Sequence, residues 1–300
     1  MPHPAVTGQP SICFVIPYFG RWPFWMPFFL ASCRENPDIH WLLFSDCGTP
    51  QVPVPSNVTI RSVSYADYCG LVSSRLAIPF APEAAYKLCD LKPALGYVHE
   101  NDLQGYDFWA FGDIDLVYGQ LRQYYTAERL SRFDLYATHE RRVSGHFCLI
   151  RNTQKMRETF MQVPRWQQLL SDQTHHAFDE GPFSRLFIRH KNFPHWLFRA
   201  AGQLNPRRRH SEFEETYSTP YAKPLWVDGS RNYPAQWFWR HGVLISDNTA
   251  ERRFPYFHFM VWKNREWKQI PPQPPEHWQQ IAATGAWSVS PQGFAALISQ

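Results

Sequence analysis

Two aspartates one residue apart, Asp113 and Asp115, follow an apolar, strand-like run in the stretch FWAFGDIDLVYG (108–119). In an extended chain residues i and i+2 point to the same face, so the two carboxylates should project together while Ile114 turns into the core. Adjacent carboxylates repel unless protons or a cation lie between them. Hard divalent cations prefer oxygen ligands and keep open positions for phosphate oxygens. The pair therefore predicts a Mg²⁺ or Mn²⁺ site beyond the carboxyl end of a strand, where open α/β sheets bind ligands.

The Asp-x-Asp spacing also has other interpretations. In one, an aspartate caps the turn after the strand and the other is solvated; the preceding apolar run and the following glycine favour the metal–phosphate site instead. In another, DIDLV fits the first motif of haloacid-dehalogenase-like phosphatases, with Asp113 as the nucleophile. That motif usually opens its domain, whereas ordered-looking α/β sequence precedes it here, and neither Asp-Asp nor Gly-Asp-x-x-x-Asp follows residue 115.

The composition limits the ligands, the cellular compartment and the membrane association that we expect for this protein. The chain has 300 residues, 44% of them hydrophobic, and a net charge of +4, which suits an anionic ligand or an acidic membrane surface but not nucleic acid. Six cysteines without Cys-x-x-Cys spacing indicate reduced thiols. We expect no signal peptide, because the polar N-terminus lacks a basic region, and no spanning helix, because prolines interrupt the apolar segment 12–33. These features predict a cytoplasmic protein. They are also compatible with peripheral association at the inner face of the membrane.

The order of the predicted elements indicates an α/β fold with a mostly parallel central sheet and a smaller mixed region. Strands are predicted at 11–20, 39–46, 58–64, 106–113, 132–139, 145–152, 223–229, 239–246 and 255–263. Helices are predicted at 23–36 with Pro23 in the first turn, at 82–100 with a break near Pro93, at 153–170 with an interruption at Pro164, and from residue 179. The charged stretch 205–215 is either a solvated loop, a lid or a contact for anionic lipid.

The segment YKLCDLKPALGYVHENDLQGYDFWAFGDIDLVYGQL (86–121) resembles the core of the bacterial DUF6625 family, which is distantly similar to the GT-A-fold sugar transferases of glycosyltransferase family 32. In those relatives a helix with basic, acidic and basic residues precedes the Asp-x-Asp strand, and Lys87, Asp90 and Lys92 stand in that place. Lysine stands where family 32 usually has arginine, which removes the bidentate phosphate contact that arginine makes. The segment CFVIPYFG (13–20) resembles the first strand and nucleotide-contacting turn, and the likeness extends over roughly residues 11 to 263.

This resemblance implies a metal-dependent glycosyltransferase that moves a sugar from a nucleotide-diphosphate-sugar donor to a hydroxyl of a cell-surface glycan or glycolipid. It implies a divalent cation, Mn²⁺ or Mg²⁺, on Asp113, Asp115 and His258. The implied donor-binding residues are Pro17, Tyr18, Phe19, Lys87, Asp90, Lys92, Asp113 and Lys263. It implies four segments: a flexible N-terminus (1–10), a nucleotide-sugar half (11–118), an acceptor half (119–263) and a Pro-rich tail (264–300), to which we assign no role in the fold.

Asp179 and Glu180 precede a predicted helix. They either cap it and complement its dipole, or one of them lies in the acceptor pocket, as the general base of an inverting transfer or as a hydroxyl contact of a retaining one. Three alternatives remain for the other candidates. His258 is a core residue, Lys87 and Lys92 are solvated helix residues, and Tyr18 and Phe19 pack beside the strand end. A sugar-binding or nucleotide-binding protein without turnover is the alternative function outside enzymes.

Overall fold

The structure is a computed structural model that describes residues 8–189, 191–221, 223–249, 251–271 and 273–297. Most of the flexible N-terminus predicted for residues 1–10 lies outside the described residues. The strands are β1 (Ile12–Pro17), β2 (Ile39–Ser45), β3 (Val58–Ser62), β4 (Phe108–Gly112), β5 (Leu116–Tyr118), β6 (Leu135–Ala137), β7 (Phe147–Arg151), β8 (Ser211–Phe213), β9 (Trp237–Arg240), β10 (Val243–Ser246), β11 (Tyr256–His258), β12 (Ala286–Ser290) and β13 (Gly293–Ala296). The α-helices are α1 (Met26–Arg34), α2 (Tyr65–Leu76), α3 (Leu88–Leu91), α4 (Leu95–Val98), α5 (Ala127–Arg132), α6 (Gln154–Arg157), α7 (Trp166–Ser171), α8 (Ser184–Phe187), α9 (His195–Gln203), α10 (Pro206–Arg209), α11 (Met260–Asn264) and α12 (Pro275–Ala283).

The central sheet has seven strands in the order β3-β2-β1-β4-β7-β6-β8. Strands β3, β2, β1 and β4 are parallel neighbours, β7 runs antiparallel to both β4 and β6, and β8 is parallel to β6. Only β7 therefore opposes the other strands of this sheet. Every residue of β4 is buried, as expected for a strand covered on both faces. The predicted α/β class with a mostly parallel central sheet is confirmed.

The chain leaves the central sheet directly after β4. A bend at 113–115 leads into β5, which pairs antiparallel with β11, so that Leu116 lies opposite His258. This two-stranded sheet brings a histidine from late in the chain beside the Asp-x-Asp sequence. The predicted strand at 255–263 is only partly correct, since β11 ends at His258 and α11 follows, placing Lys263 on a helix.

Several local predictions are corrected by the structure. Helix α1 begins at Met26, so Pro27 rather than Pro23 occupies its first turn. Helix α2 was not predicted; its N-cap Ser64 accepts a hydrogen bond from the Asp67 amide at 3.0 Å. Residues 223–229 form no strand, and 239–246 contributes to a hairpin of β9 and β10. The break near Pro93 is confirmed, as a 3₁₀ turn separates α3 from α4.

The segment after residue 264 has a role in the fold, contrary to our expectation. Strands β12 and β13 join β9 and β10 in a four-stranded antiparallel sheet. The ring of Trp287 stacks on Trp239 at 4.6 Å, and that of Phe294 stacks on Phe28 of α1 at 3.7 Å. Aromatic side chains thus anchor this segment despite its prolines. All six cysteines are free thiols. Within the described ranges, no helix combines the length and apolar character needed to cross a membrane.

Candidate metal centre

The carboxylates of Asp113 and Asp115 lie together at the carboxyl end of β4. Together with His258 they form a group in which one ligand atom from each residue lies within 4.8 Å of the others. Ile114 is buried in the core between them, as the i, i+2 argument predicts. The local backbone is a bend rather than a strand, and it leaves Asp113 about one-third exposed while Asp115 is buried. The group therefore has one buried carboxylate and one that reaches solvent.

His258 is buried and its imidazole has one unsatisfied nitrogen. Its Nδ1 lies 3.2 Å from Oγ1 of Thr219, whereas Nε2 has no hydrogen-bond partner in the described part of the chain. Oδ2 of Asp115 is 3.6 Å from this Nε2, beyond hydrogen-bond distance. When Nδ1–H donates to Thr219, Nε2 is free to ligate a cation that lies between it and the carboxylates. This is the arrangement by which a second partner orients a metal-ligating histidine, so the residues fit a divalent cation.

Each carboxylate of the pair has its own lysine. Nζ of Lys92 lies 2.5 Å from Oδ1 of Asp113, and Nζ of Lys263 lies 2.6 Å from Oδ2 of Asp115. Burial alone raises the pKa of Asp115, but His258 and Lys263 outweigh it and hold that pKa well below its usual range. Burial lowers the Lys92 pKa, yet the charge of Asp113 outweighs burial and raises it above its usual value. Each carboxylate is therefore held by the ammonium group of one lysine.

Asp179 and Glu180 belong to one π-helical turn, Asp179–Phe183, but have different surroundings. Asp179 is buried, and burial raises its pKa to about 7, while the charge of Lys92 works in the opposite direction. Glu180 is about one-third exposed and binds Arg142 through a 2.7 Å ion pair. A Cβ atom on Gly145 would lie 2.5 Å from Oδ2 of Asp179, so only glycine permits this approach. One acid is therefore protonatable near neutrality and the other is held by arginine.

The structure pairs Lys87 and Asp90 with each other, away from the carboxylate group. Their side chains are 2% and 0% exposed and 3.0 Å apart. Nζ of Lys87 also donates to the carbonyl oxygens of Leu169 and Thr174 at 2.7 and 2.6 Å. Asp90 accepts hydrogen bonds from the backbone amides of His176 and Phe178, both at 2.8 Å. The pair thus fixes the loop that leads directly to Asp179.

The residues after β1 take two different positions. Tyr18 is partly exposed and stacks on Trp22, with ring centroids 5.6 Å apart and planes 9° apart. Phe19 instead contacts Tyr65 and Tyr68 of α2, at 5.3 and 5.2 Å. Pro17 ends β1 opposite Phe44 of β2. Of the three predicted donor contacts, Tyr18 has a partly exposed aromatic ring and Phe19 is partly buried against the core.

Three further residues of the site were not assigned to it from the sequence. Arg142 binds Glu180, and the imidazole of His146 stacks on His258 with centroids 4.2 Å apart. Burial holds the pKa of His146 well below its usual value, and its Nε2 lies 2.8 Å from the Tyr256 hydroxyl. Trp25 Nε1 donates to the carbonyl of Ile114 at 3.1 Å and so fixes the bend between the aspartates. The arginines and glycine in HERRVSGHF (139–147), between two predicted strands, were the available signal for Arg142.

Comparisons with known proteins identify the family. The model described as "Family of unknown function (DUF6625)" matches residues 14–282, and the chain belongs to this family. No curated protein matches the chain. Among solved structures, the chain is similar to an active-site mutant of LgtC, with 11% identity over 91% of this chain and 95% of that chain and a TM-score of 0.43. It is also similar to mouse xyloside xylosyltransferase 1 in its apo form, with 10% identity over 83% of this chain and 97% of that chain and a TM-score of 0.42. Both TM-scores lie below 0.5, too low for either likeness to support a conclusion about this chain.

Proposed function

We propose that this member of the DUF6625 family is a metal-dependent glycosyltransferase of GT-A type, transferring a sugar from a nucleoside-diphosphate sugar to a hydroxyl acceptor. The observation that carries the proposal is the group of Asp113, Asp115 and His258 at the carboxyl end of β4, with a buried, unpartnered Nε2 facing the carboxylates. We assign donor binding to residues 11–118 and acceptor binding to 119–263. The acceptor that we propose is a bacterial cell-surface glycan or glycolipid, modified on the cytoplasmic side of the membrane.

The three side chains suit Mn²⁺ or Mg²⁺, because two carboxylate oxygens and one imidazole nitrogen are ligands that these ions accept. Such a cation, when bound, acts as a Lewis acid toward the departing diphosphate. Lys92 and Lys263 neutralise the two carboxylates in the metal-free protein. We propose that their ammonium groups bind phosphate oxygens of the donor once the carboxylates ligate the cation.

Asp179 and Glu180 are the proposed acceptor-side groups. A carboxyl group whose pKa is about 7 is suited to accept a proton from a hydroxyl at neutral pH, which makes Asp179 the preferred candidate. Glu180, held by Arg142, is proposed to hydrogen-bond a sugar hydroxyl. We propose that Lys87 and Asp90 act on the donor site indirectly, by fixing the loop before Asp179.

The partly exposed pair of Tyr18 and Trp22 is proposed to contact the nucleobase, since stacked rings offer a flat apolar face. Pro17 ends the strand that presents this pair. Phe19, next in the chain after Tyr18, is partly buried and contacts α2.

The direct test is donor hydrolysis by the purified full chain. A panel of nucleoside-diphosphate sugars is incubated with Mn²⁺, with Mg²⁺ or with EDTA, and the released nucleoside diphosphate is quantified. We expect slow hydrolysis of one donor with metal, and none with EDTA or in Asp113→Asn and Asp115→Asn. Asp228→Asn, on an exposed turn, is the matched control and should keep full activity.

Two results would contradict the proposal. Metal-dependent binding of a donor that is released intact, with no transfer to any acceptor, would indicate a binding protein. Hydrolysis of p-nitrophenyl phosphate that depends on Asp113, with no action on nucleotide sugars, would indicate the phosphatase chemistry instead.

A further inference from the structure

We propose that a basic surface formed by residues 185–189 and 191–210 docks this protein onto an anionic phospholipid bilayer. The sequence from 181 to 211 contains seven lysines and arginines and no aspartate or glutamate, although the whole chain has a net charge of only +4. Positive charge is therefore concentrated on this one segment, which comprises α8, α9, α10 and their connections. Clustered cations of this kind are attracted to anionic lipid headgroups.

Large apolar side chains are exposed on the same segment. Trp196 on α9 is 72% exposed, and Leu204, directly after α9, is 86% exposed. Phe198 of the same helix is buried, so α9 packs one face on the protein and turns the face with Trp196 and Arg199 to solvent. Tryptophan beside arginine is typical of helices that lie in a membrane interface.

The exposed face is held firmly by the rest of the protein. Nη1 of Arg141 donates to the carbonyl oxygens of Lys191 and Phe193 at 2.9 and 3.2 Å, and its guanidinium lies 4.9 Å from the ring of Phe198. At the other end of α9, Nδ2 of Asn205 donates to the carbonyl oxygens at the end of α8, at 2.9 and 3.1 Å. Trp196 and Leu204 are therefore exposed on an anchored helix pair.

The cations of this surface have no acidic partner among the described residues. None of the seven forms an ion pair with aspartate or glutamate; they are Arg185, Arg189, Lys191, Arg199, Arg207, Arg208 and Arg209. Two of them make other contacts, since Arg207 donates to Gln162 and Arg208 lies over the ring of Phe213. Unpaired cations next to exposed apolar side chains match the chemistry of a bilayer, which offers phosphates and acyl chains together. A nucleic acid would satisfy the cations but not Leu204.

The surface adjoins the candidate site. Arg141, which holds the start of α9, is followed in the chain by Arg142, the partner of Glu180. A protein docked through this surface therefore keeps the acceptor-side loop close to the lipid headgroups. The docking proposal itself does not depend on transferase activity, and its test measures membrane binding alone.

The test is co-sedimentation of the full chain with vesicles of phosphatidylcholine containing 30% phosphatidylglycerol, and with pure phosphatidylcholine. We expect binding only to the anionic vesicles and its loss as NaCl rises. Arg199→Gln with Arg209→Gln should weaken partitioning by about fivefold for each charge removed, and Trp196→Ala with Leu204→Ala by roughly tenfold. All substituted side chains are exposed, and circular dichroism checks that the variants fold.

Control variants remove the same number of charges, or one exposed leucine, elsewhere on the surface. Arg265→Gln with Lys268→Gln, and Leu225→Ala, alter other exposed positions and should bind within about twofold of the unmodified chain. Equal binding by the surface variants and the controls would overturn the proposal, as would equal binding to neutral vesicles. Binding to a DNA duplex without binding to anionic vesicles would assign the surface to nucleic acid and also overturn it.

Discussion

Nζ of Lys263 donates a 2.6 Å hydrogen bond to Oδ2 of Asp115, the buried carboxylate of the candidate metal centre. Nζ also lies 6.0 Å from the ring centre of Trp25, whose indole fixes the bend between the two aspartates. The lysine thus balances the charge of the carboxylate that a cation would also bind. A cation and the ammonium group compete for Asp115, whereas a diphosphate attracts both.

Replacing Lys263 with methionine should therefore have opposite effects on two ligands. Removing the ammonium group should tighten Mn²⁺ binding by about tenfold, because a positive charge near the carboxylate is lost. Binding of a nucleoside diphosphate with saturating Mn²⁺ should weaken by about tenfold, because a phosphate partner is lost. Isothermal titration measures both, with the exposed Lys268→Met as control. Parallel changes in both affinities would show that Lys263 does not stand between the cation and the phosphate.

The two stacked histidines should respond differently to the same substitution. His258→Phe keeps a ring against His146 but removes the unpartnered Nε2. We expect Mn²⁺ affinity to fall at least tenfold, and the free energy of unfolding to fall by about 1 kcal/mol, because the hydrogen bond between Nδ1 and Thr219 is also lost. His146→Phe loses the bond to the Tyr256 hydroxyl and should destabilise by about 1–2 kcal/mol, with metal affinity within threefold.

Titration with Mn²⁺ and urea denaturation in EDTA distinguish these outcomes. If both variants lose stability alike and neither changes metal affinity, His258 is a core residue and not a ligand.

The sequence predicted those parts of the site that depend on local chemistry. The apolar run before Asp113 predicted a buried strand, and the spacing of two predicted paired carboxylates with Ile114 in the core; both are confirmed. The family model confirms the resemblance drawn from residues 86–121. The bend at 113–115 was not predictable, because it depends on β5 leaving the sheet to pair with β11, far away in the chain.

Roles that depend on residues far away in the chain could not be predicted from the sequence. Lys87 and Asp90 lie on a short helical segment, and nothing local indicates that both are buried, because their partners come from α7 and the loop that follows it. The prolines after residue 264 suggested an irregular tail, whereas the stacking of Trp287 on Trp239 makes it part of a sheet. Helix α2 was recognisable, since Ser64 with Asp67 three residues later is a capping signal.

The buried pair of Lys87 and Asp90 should stabilise the fold because each side chain balances the charge of the other. Lys87→Met leaves the fully buried Asp90 carboxylate without its cation, and we expect a loss of about 3–5 kcal/mol in the free energy of unfolding. The double variant Lys87→Met with Asp90→Asn should lose less than the sum of the two single variants. Urea denaturation measures the coupling, and the exposed Lys155→Met should change stability by less than about 0.5 kcal/mol.

Donor hydrolysis by the same variants separates positioning from direct binding. If Lys87→Met folds normally and loses only donor affinity, the lysine contacts the donor directly. The proposal that Lys87 acts by fixing the loop before Asp179 is then wrong.

Asp179 should make the protein less stable as the pH rises. Burial raises the pKa of Asp179 to about 7, while the carboxyl of an unfolded chain loses its proton near pH 4. Between these values the folded state holds the extra proton, so its contribution to stability is complete below pH 4 and is lost progressively up to pH 7. A difference of about three pKa units corresponds to about 4 kcal/mol.

The test compares the unmodified chain with Asp179→Asn by urea denaturation in EDTA at pH 5, 6, 7 and 8. Asparagine keeps an acceptor for the Glu180 amide, which bonds to Oδ1 of Asp179 at 2.8 Å, but it does not ionise. The variant should therefore gain about 2.5 kcal/mol of stability relative to the unmodified chain between pH 5 and pH 8. Glu180→Gln removes the neighbouring, more exposed carboxylate and controls for a general charge effect. A stability difference that stays constant from pH 5 to pH 8 would mean that Asp179 is already ionised at pH 5, and it would remove the basis for choosing Asp179 over Glu180 as the proton acceptor.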